Sequence, residues 1–84
     1  MKRKTANPQA RRCANLRRLS EQLTDEGVLS LAAQGEILGG LTEQHLRALL
    51  AGEPMSDEVA REIEWAMQRP VGWLDAPRTD VLDN

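Results

Sequence analysis

Apolar residues recur at steps of three and four along this chain, in short runs that stop at glycine or proline. Such spacing places each run on one face of an α-helix. The side chains available for packing agree. Aromatic residues make up 2% of the sequence, Trp65 and Trp73 with no Phe and no Tyr, whereas a small β-sandwich or barrel draws on aromatic and β-branched residues for its packed faces. The expectation is an all-α fold with a core of Leu and Ala, and 84 residues fit one small domain.

Four helices follow from the punctuation. Asn7 is suited to cap a helix that begins at Pro8, and Cys13, Leu16, Leu19 and Leu23 then share one face, which predicts helix 1 over residues 8–23. Thr24 to Gly27 read as a break. Val28, Leu31, Ala32, Gly35 and Leu38 resume helical spacing and predict helix 2 over 28–38, weakened by Gly35 in its interior and stopped by Gly39-Gly40. Thr42 caps helix 3, expected over 43–51; Leu46, Leu49 and Leu50 form its buried face, Leu41 packs on Leu46 as a staple, and Gly52 ends it. After Pro54, Ser56 caps helix 4 over 57–68, with Asp57 and Glu58 in the first turn, an apolar stripe of Val59, Ile63, Ala66 and Met67, and Pro70 as the boundary. Residues 1–7 are expected to form a flexible basic arm, 8–75 the folded domain, and 76–84, which carry no usable periodicity, a flexible tail.

Charge is distributed unevenly. Lys2, Arg3, Lys4, Arg11, Arg12, Arg17 and Arg18 occupy residues 1–18 without a single acid, while the rest of the chain sets Arg47, Arg61, Arg69 and Arg78 against all 13 acids. The formal net charge of −2 therefore hides a basic arm on an acidic body. Such an arm reads either as a solvated, solubilising tail or as a segment that neutralises phosphates with salt-dependent affinity. Arg11, Arg12, Arg17 and Arg18 fall mainly off the helix 1 stripe, which gives that helix a core face and a basic face.

Several classes of function lack the residues they need. One Cys excludes a disulfide framework and a Cys-based zinc site, and one His leaves too few soft ligands for a transition metal. There is no nucleophile turn with Ser, His and Asp, no phosphate-binding loop and no dinucleotide-binding glycine pattern, so neither enzymatic activity nor a cofactor is expected. No segment approaches the length of a membrane span and no apolar run follows the charged start, so the expected compartment is the cytoplasm. Cys13 reads as a small core residue and Trp73 as a plug packed under helices 1 and 4. Trp65 lies off the Ile63/Met67 stripe, where an exposed indole suits a dimer patch.

Helices 2 and 3, joined by Gly39-Gly40-Leu41-Thr42, have the layout of a helix-turn-helix, in which the second helix lies in the major groove. The run Ala60, Arg61, Ile63, Glu64, Ala66, Pro70, Gly72, Trp73, Leu74 and Asp75 resembles the fourth helix and exit of the lambda-repressor-like (Cro and Xre) helix-turn-helix family, in the form A-R-x-I-E-x-A-x, a Pro, then G-W-[LM]-D. Gly40-Leu41-Thr42 through Leu46 to Gly52 is similar to that family's turn and recognition helix, and Arg11, Arg12, Asn15, Leu16 and Arg17 are similar to its R-R-x-x-N-L-R start. The resemblance covers about residues 11–75 and is concentrated in the last third. It implies a compact four-to-five-helix lambda-repressor-like DNA-binding domain. The chain departs from the pattern in three ways: the segment between helix 1 and Gly40 is longer, the family's Q-x-x-L-A-x-x-x-G second helix does not lie in register on 28–40, and acidic residues stand at Glu43 and Glu53.

Two readings of function follow. The first is a sequence-specific transcriptional regulator, a repressor that binds double-stranded DNA as a homodimer, since one helix offers few base contacts. Thr42, Gln44, His45 and Arg47 then face the DNA, with Gln and Arg suited to adenine and guanine edges, while Lys2, Arg3, Lys4, Arg11, Arg12 and Arg17 hold phosphates. The alternative is a repressor-like helical module for protein interaction without DNA binding, because Glu43 and Glu53 repel phosphate and the acidic body with Trp65 offers another surface.

Overall fold

A computed structural model describes residues 8–77, and within them the chain is all-helical: α1 (Pro8–Asp25), α2 (Leu31–Ile37), α3 (Glu43–Leu50), α4 (Asp57–Ala66) and a single 3-10 turn (Trp73–Asp75). No strand occurs among the described residues. Among those residues no helix is long and apolar enough to cross a membrane. Lys2, Arg3 and Lys4, with the rest of the expected arm at 1–7, and residues 78–84 of the expected tail lie outside the described residues.

α1 continues through Thr24 and Asp25, which had read as a break, because Leu23 still belongs to the buried stripe and the chain turns only at Gly27, where the Val28 amide bonds back to the Leu23 carbonyl. α2 starts three residues later than its apolar spacing suggests. Ser30 is extended at φ −92°, ψ 146° and its hydroxyl accepts the Ala33 amide, so it is the N-cap, and Val28 and Leu29 belong to the preceding loop. α3 and α4 begin where Thr42 and Ser56 place them, each cap accepting the amide three residues on.

The connection between α2 and α3 depends on glycine twice over. Gly39 and Gly40 both stand at positive φ, 102° and 84°, a conformation that side-chain-bearing residues rarely adopt. Gly35 does more than weaken α2, as its interior position suggests: a Cβ there would sit 2.3 Å from the Leu41 carbonyl oxygen, so the helix and the following turn touch backbone to backbone. The Leu41 amide in turn bonds to the Gly35 carbonyl at 2.8 Å.

Leu16, Leu19 and Leu23 of α1, Leu38, Leu41, Leu46 and Leu49 around the α2–α3 turn, and Met55, Ala60, Ile63 and Leu74 form one buried cluster. Each Leu, Ile or Met of the cluster contributes on the order of 1.5–3 kcal/mol by leaving water. Trp73 is not the plug. It is half-buried, with the Arg69 guanidinium 5.1 Å from its ring centre, while the adjacent Leu74 is fully buried. The 3-10 turn carries Leu74 inward, and a Trp one residue earlier is left at the edge. Cys13 is likewise at the rim of its stripe, half-buried, with its thiol near the Leu50 carbonyl.

Candidate nucleic-acid interface

α3 buries Leu46 and Leu49 and turns its other face to solvent. Glu43, Gln44, His45 and Arg47 are exposed on that outer side, and the order of the helix explains it: with the leucines inward, the residues between them have nowhere else to go. Thr42 is exposed as well, but its hydroxyl is occupied as acceptor of the His45 amide at 3.0 Å, so its first role is to start the helix. Arg47 forms an ion pair with Glu43 one turn back, both side chains about half or more exposed. Exposed pairs of this spacing contribute only about 0.3–0.5 kcal/mol, so a phosphate or base edge can take the guanidinium at little cost.

The arginines of α1 do not form one basic face. Arg12 is removed from the candidate interface altogether: it is 5% exposed, its guanidinium donates to Asp57 at 2.6 Å, to both carboxylate oxygens of Asp75, and to the Met55 carbonyl at 2.6 Å. The cause is its register. Arg12 lies three and four residues before Asn15 and Leu16, on the buried stripe of α1 rather than beside it, a spacing visible in the sequence and overridden by the expectation that charge stays outside. The hydrogen bonds that Arg12 donates to Asp75 hold the Asp75 carboxyl below the usual carboxylate range and raise the Arg12 pKa, in each case against the opposing effect of burial.

Arg11 and Arg17 fare differently. Arg11 reaches the Asp75 carbonyl only at 3.5 Å. Arg17 is exposed and donates from two nitrogens to the Leu50 carbonyl, at 3.2 and 3.1 Å, capping the C-terminal end of α3 where a cation suits the helix dipole. It therefore sits beside α3, with Arg47 on the helix itself, and these two are the cations that the fold brings to this element.

The buried arginine belongs to a network that sequence spacing does not disclose. Glu64, 1% exposed, accepts the Gly72 amide at 3.1 Å and the Leu74 amide at 2.8 Å and pairs with Arg61, which also reaches Asp75 at 3.1 Å. Asn15, also buried, donates to the Leu74 and Ala76 carbonyls at 2.9 and 2.8 Å. Ala76 is thus tied to α1 and belongs with the folded part rather than with a loose tail. Arg12, Asn15, Arg61, Glu64, Gly72, Leu74 and Asp75, among the residues that carry the resemblance noted above, all take part in holding the chain's exit against α1 and α4.

Gln34 is a second buried polar centre. It accepts the Ser20 hydroxyl at 2.6 Å and donates to Thr24 at 2.9 Å and to the Val28 carbonyl at 2.7 Å, which ties α2 to the end of α1 and orders the longer connection between them. A Gln inside an Ala-rich helix one step before a buried Gly was the available signal. Among the described residues no group of His, Cys, Asp and Glu is arranged to hold a metal ion. Comparisons of the chain with protein-family models, with curated proteins and with solved structures return no match.

Proposed function

We propose that this chain is a sequence-specific DNA-binding transcriptional regulator of lambda-repressor-like architecture, a repressor that acts in the cytoplasm as a homodimer with α3 in the major groove. The observation that supports this reading most is the α2–α3 unit itself: α2 meets the turn that leads into α3 backbone to backbone through Gly35 and Leu41, and Gln44, His45 and Arg47 project from the uncovered face of α3. A reading helix has to be rigidly placed and outwardly polar, and both conditions rest on packing. Arg47 is the residue for a guanine edge, Gln44 for adenine, His45 for a base or backbone oxygen, and Arg17 and Arg11 for phosphates. Lys2, Arg3 and Lys4 supply sequence-independent charge in this reading.

The second reading, a helical module that binds protein and not DNA, draws on the Glu43–Arg47 pair and on Glu53, which put acid against any approaching phosphate. One experiment separates the two. The purified chain is titrated by fluorescence anisotropy against a site selected from random duplexes and against a scrambled duplex, across a salt series. The DNA reading expects affinity that falls with salt and a loss of about 1–3 kcal/mol on the selected site in Arg47→Ala, with a smaller loss on the scrambled one. Absence of wild-type binding at low salt overturns it in favour of the protein module.

A further inference from the structure

α2 and α4 leave a groove between them that no residue of α3 lines. Its volume is about 610 Å³, and its walls are Glu36, Ile37, Gly39, Arg61, Glu62, Trp65 and Ala66. At Gly39, held at φ 102°, the end of α2 passes α4 at contact distance: a Cβ there would lie 3.4 Å from the Glu62 carbonyl oxygen. The floor is apolar and open to water, with Trp65 83% and Ile37 41% exposed. An indole and an isoleucine left uncovered side by side are costly in solvent and are the usual anchors of a protein contact.

The charge around that floor selects the occupant. Glu36 and Glu62 are exposed at the rim, whereas the cation present, Arg61, is committed to Glu64 and Asp75. Two copies of this chain packed groove to groove would bring acid against acid, which disfavours a symmetric self-contact here. We propose that the groove is a docking site for a cationic segment of another protein, with one apolar side chain seated between Ile37 and Trp65 and flanking Arg or Lys residues paired with Glu36 and Glu62. A groove of this size takes an anchor and its neighbours, not a domain. An arginine beside the anchor also finds the Trp65 ring face, where a guanidinium stacks favourably. Because α3 does not line it, this site does not depend on the DNA reading.

The test uses the full chain and a synthetic amphipathic peptide with Leu at helical spacing and Arg between, followed by amide and indole chemical shifts and by calorimetry. The expected result is shift changes confined to the ends of α2 and α4, affinity that falls with salt, and at least about tenfold weaker binding in Trp65→Ala, an exposed position whose loss leaves the fold intact. Glu36→Lys with Glu62→Lys should transfer preference to the same peptide carrying Glu in place of Arg. Shifts that spread over α3 or ignore Trp65→Ala overturn the proposal. So does concentration-dependent dimerisation abolished by Trp65→Ala, which would assign the groove to a second copy, and so do groove shifts that change when residues 1–7 are deleted, which would assign it to the chain's own basic arm.

Discussion

Arg12 and Arg47 are the same side chain at opposite ends of the electrostatic range. At the closing end of the molecule, where α1 meets α4 and the 3-10 turn, Arg12 is buried and every direction of its guanidinium is met by Asp57, Asp75 or the Met55 carbonyl. On α3, Arg47 stands in solvent with Glu43 for company. The first environment ties the charge into several hydrogen bonds while its own side chain is out of water; the second makes it free to leave. A cation count in the sequence treats the two alike. Their separation teaches that the basic residues of this chain divide into those that hold the fold and those that can meet an anion, and that burial rather than residue type makes the division.

Breaking the closing end should have the largest effects. Arg12→Ala removes the donor that links Asp57, Asp75 and the Met55 carbonyl and leaves Asp75 with Arg61 alone, which should cost on the order of 3 kcal/mol, read as a fall in the urea midpoint without a change of slope. An unaltered midpoint would make Arg12 a surface residue after all. Leu74→Ala should follow at about 2–5 kcal/mol, and Trp73→Ala should cost less than Leu74→Ala because the indole is only half-buried. The reverse order would restore Trp73 as the plug.

At the α2–α3 junction, Gly35→Ala forces a methyl group against the Leu41 carbonyl and should cost about 1–3 kcal/mol by overpacking, although alanine favours helix elsewhere. Thermal melts of Gly35→Ala beside Ala32→Gly, a change at an exposed position of the same helix, distinguish this contact from helix propensity. A stabilised variant would mean that α2 is free to shift away from the turn.

Acid should weaken the closing end selectively. The Asp75 carboxyl titrates lower in the folded chain than in the unfolded one, so its contribution is complete above the unfolded carboxylate range, near 4, and is lost as pH falls through the lower folded value. Asp75→Asn should therefore be less stable than the parent at neutral pH and should show a smaller further decline on acidification. Parallel pH profiles for the two would remove Asp75 from the network. The smallest effect on stability belongs to α3: Arg47→Ala and Glu43→Gln should each change it by no more than about 0.5 kcal/mol. Under the DNA reading Glu43→Gln should strengthen binding to any duplex while Arg47→Ala weakens it on the preferred one, so opposite signs in a titration sharpen the contrast with Arg12.

The helices themselves were legible from local chemistry. Thr42 and Ser56 started α3 and α4 at the stated residues, the Leu16–Leu19–Leu23 and Leu46–Leu49 spacings named buried faces, and Gly39-Gly40 marked the turn. Each of these depends on neighbours within a turn or two, which a sequence displays directly. The start of α2 was missed for a related reason: Val28 and Leu31 share helical spacing, but only the extended conformation of Ser30 decides that the spacing is carried by loop and helix in succession.

The outward face of α3, with Gln44, His45 and Arg47, was readable because exposure there is what remains once the leucines are assigned. The fate of Arg12 was not, since its partners lie 43 to 63 positions away and a charge is stable inside only when they converge on it. The groove beside Trp65 is of the same kind: an indole off the stripe was visible, yet the wall opposite it comes from Ile37 and Gly39 on another helix. Helix starts, turns and inward leucines were set by the sequence itself, because caps, glycines and periodicity act locally. Which charge is buried, which residues face the exposed Trp65 and which backbones touch were decided by the tertiary structure, because burial and pairing belong to residues that only folding brings together.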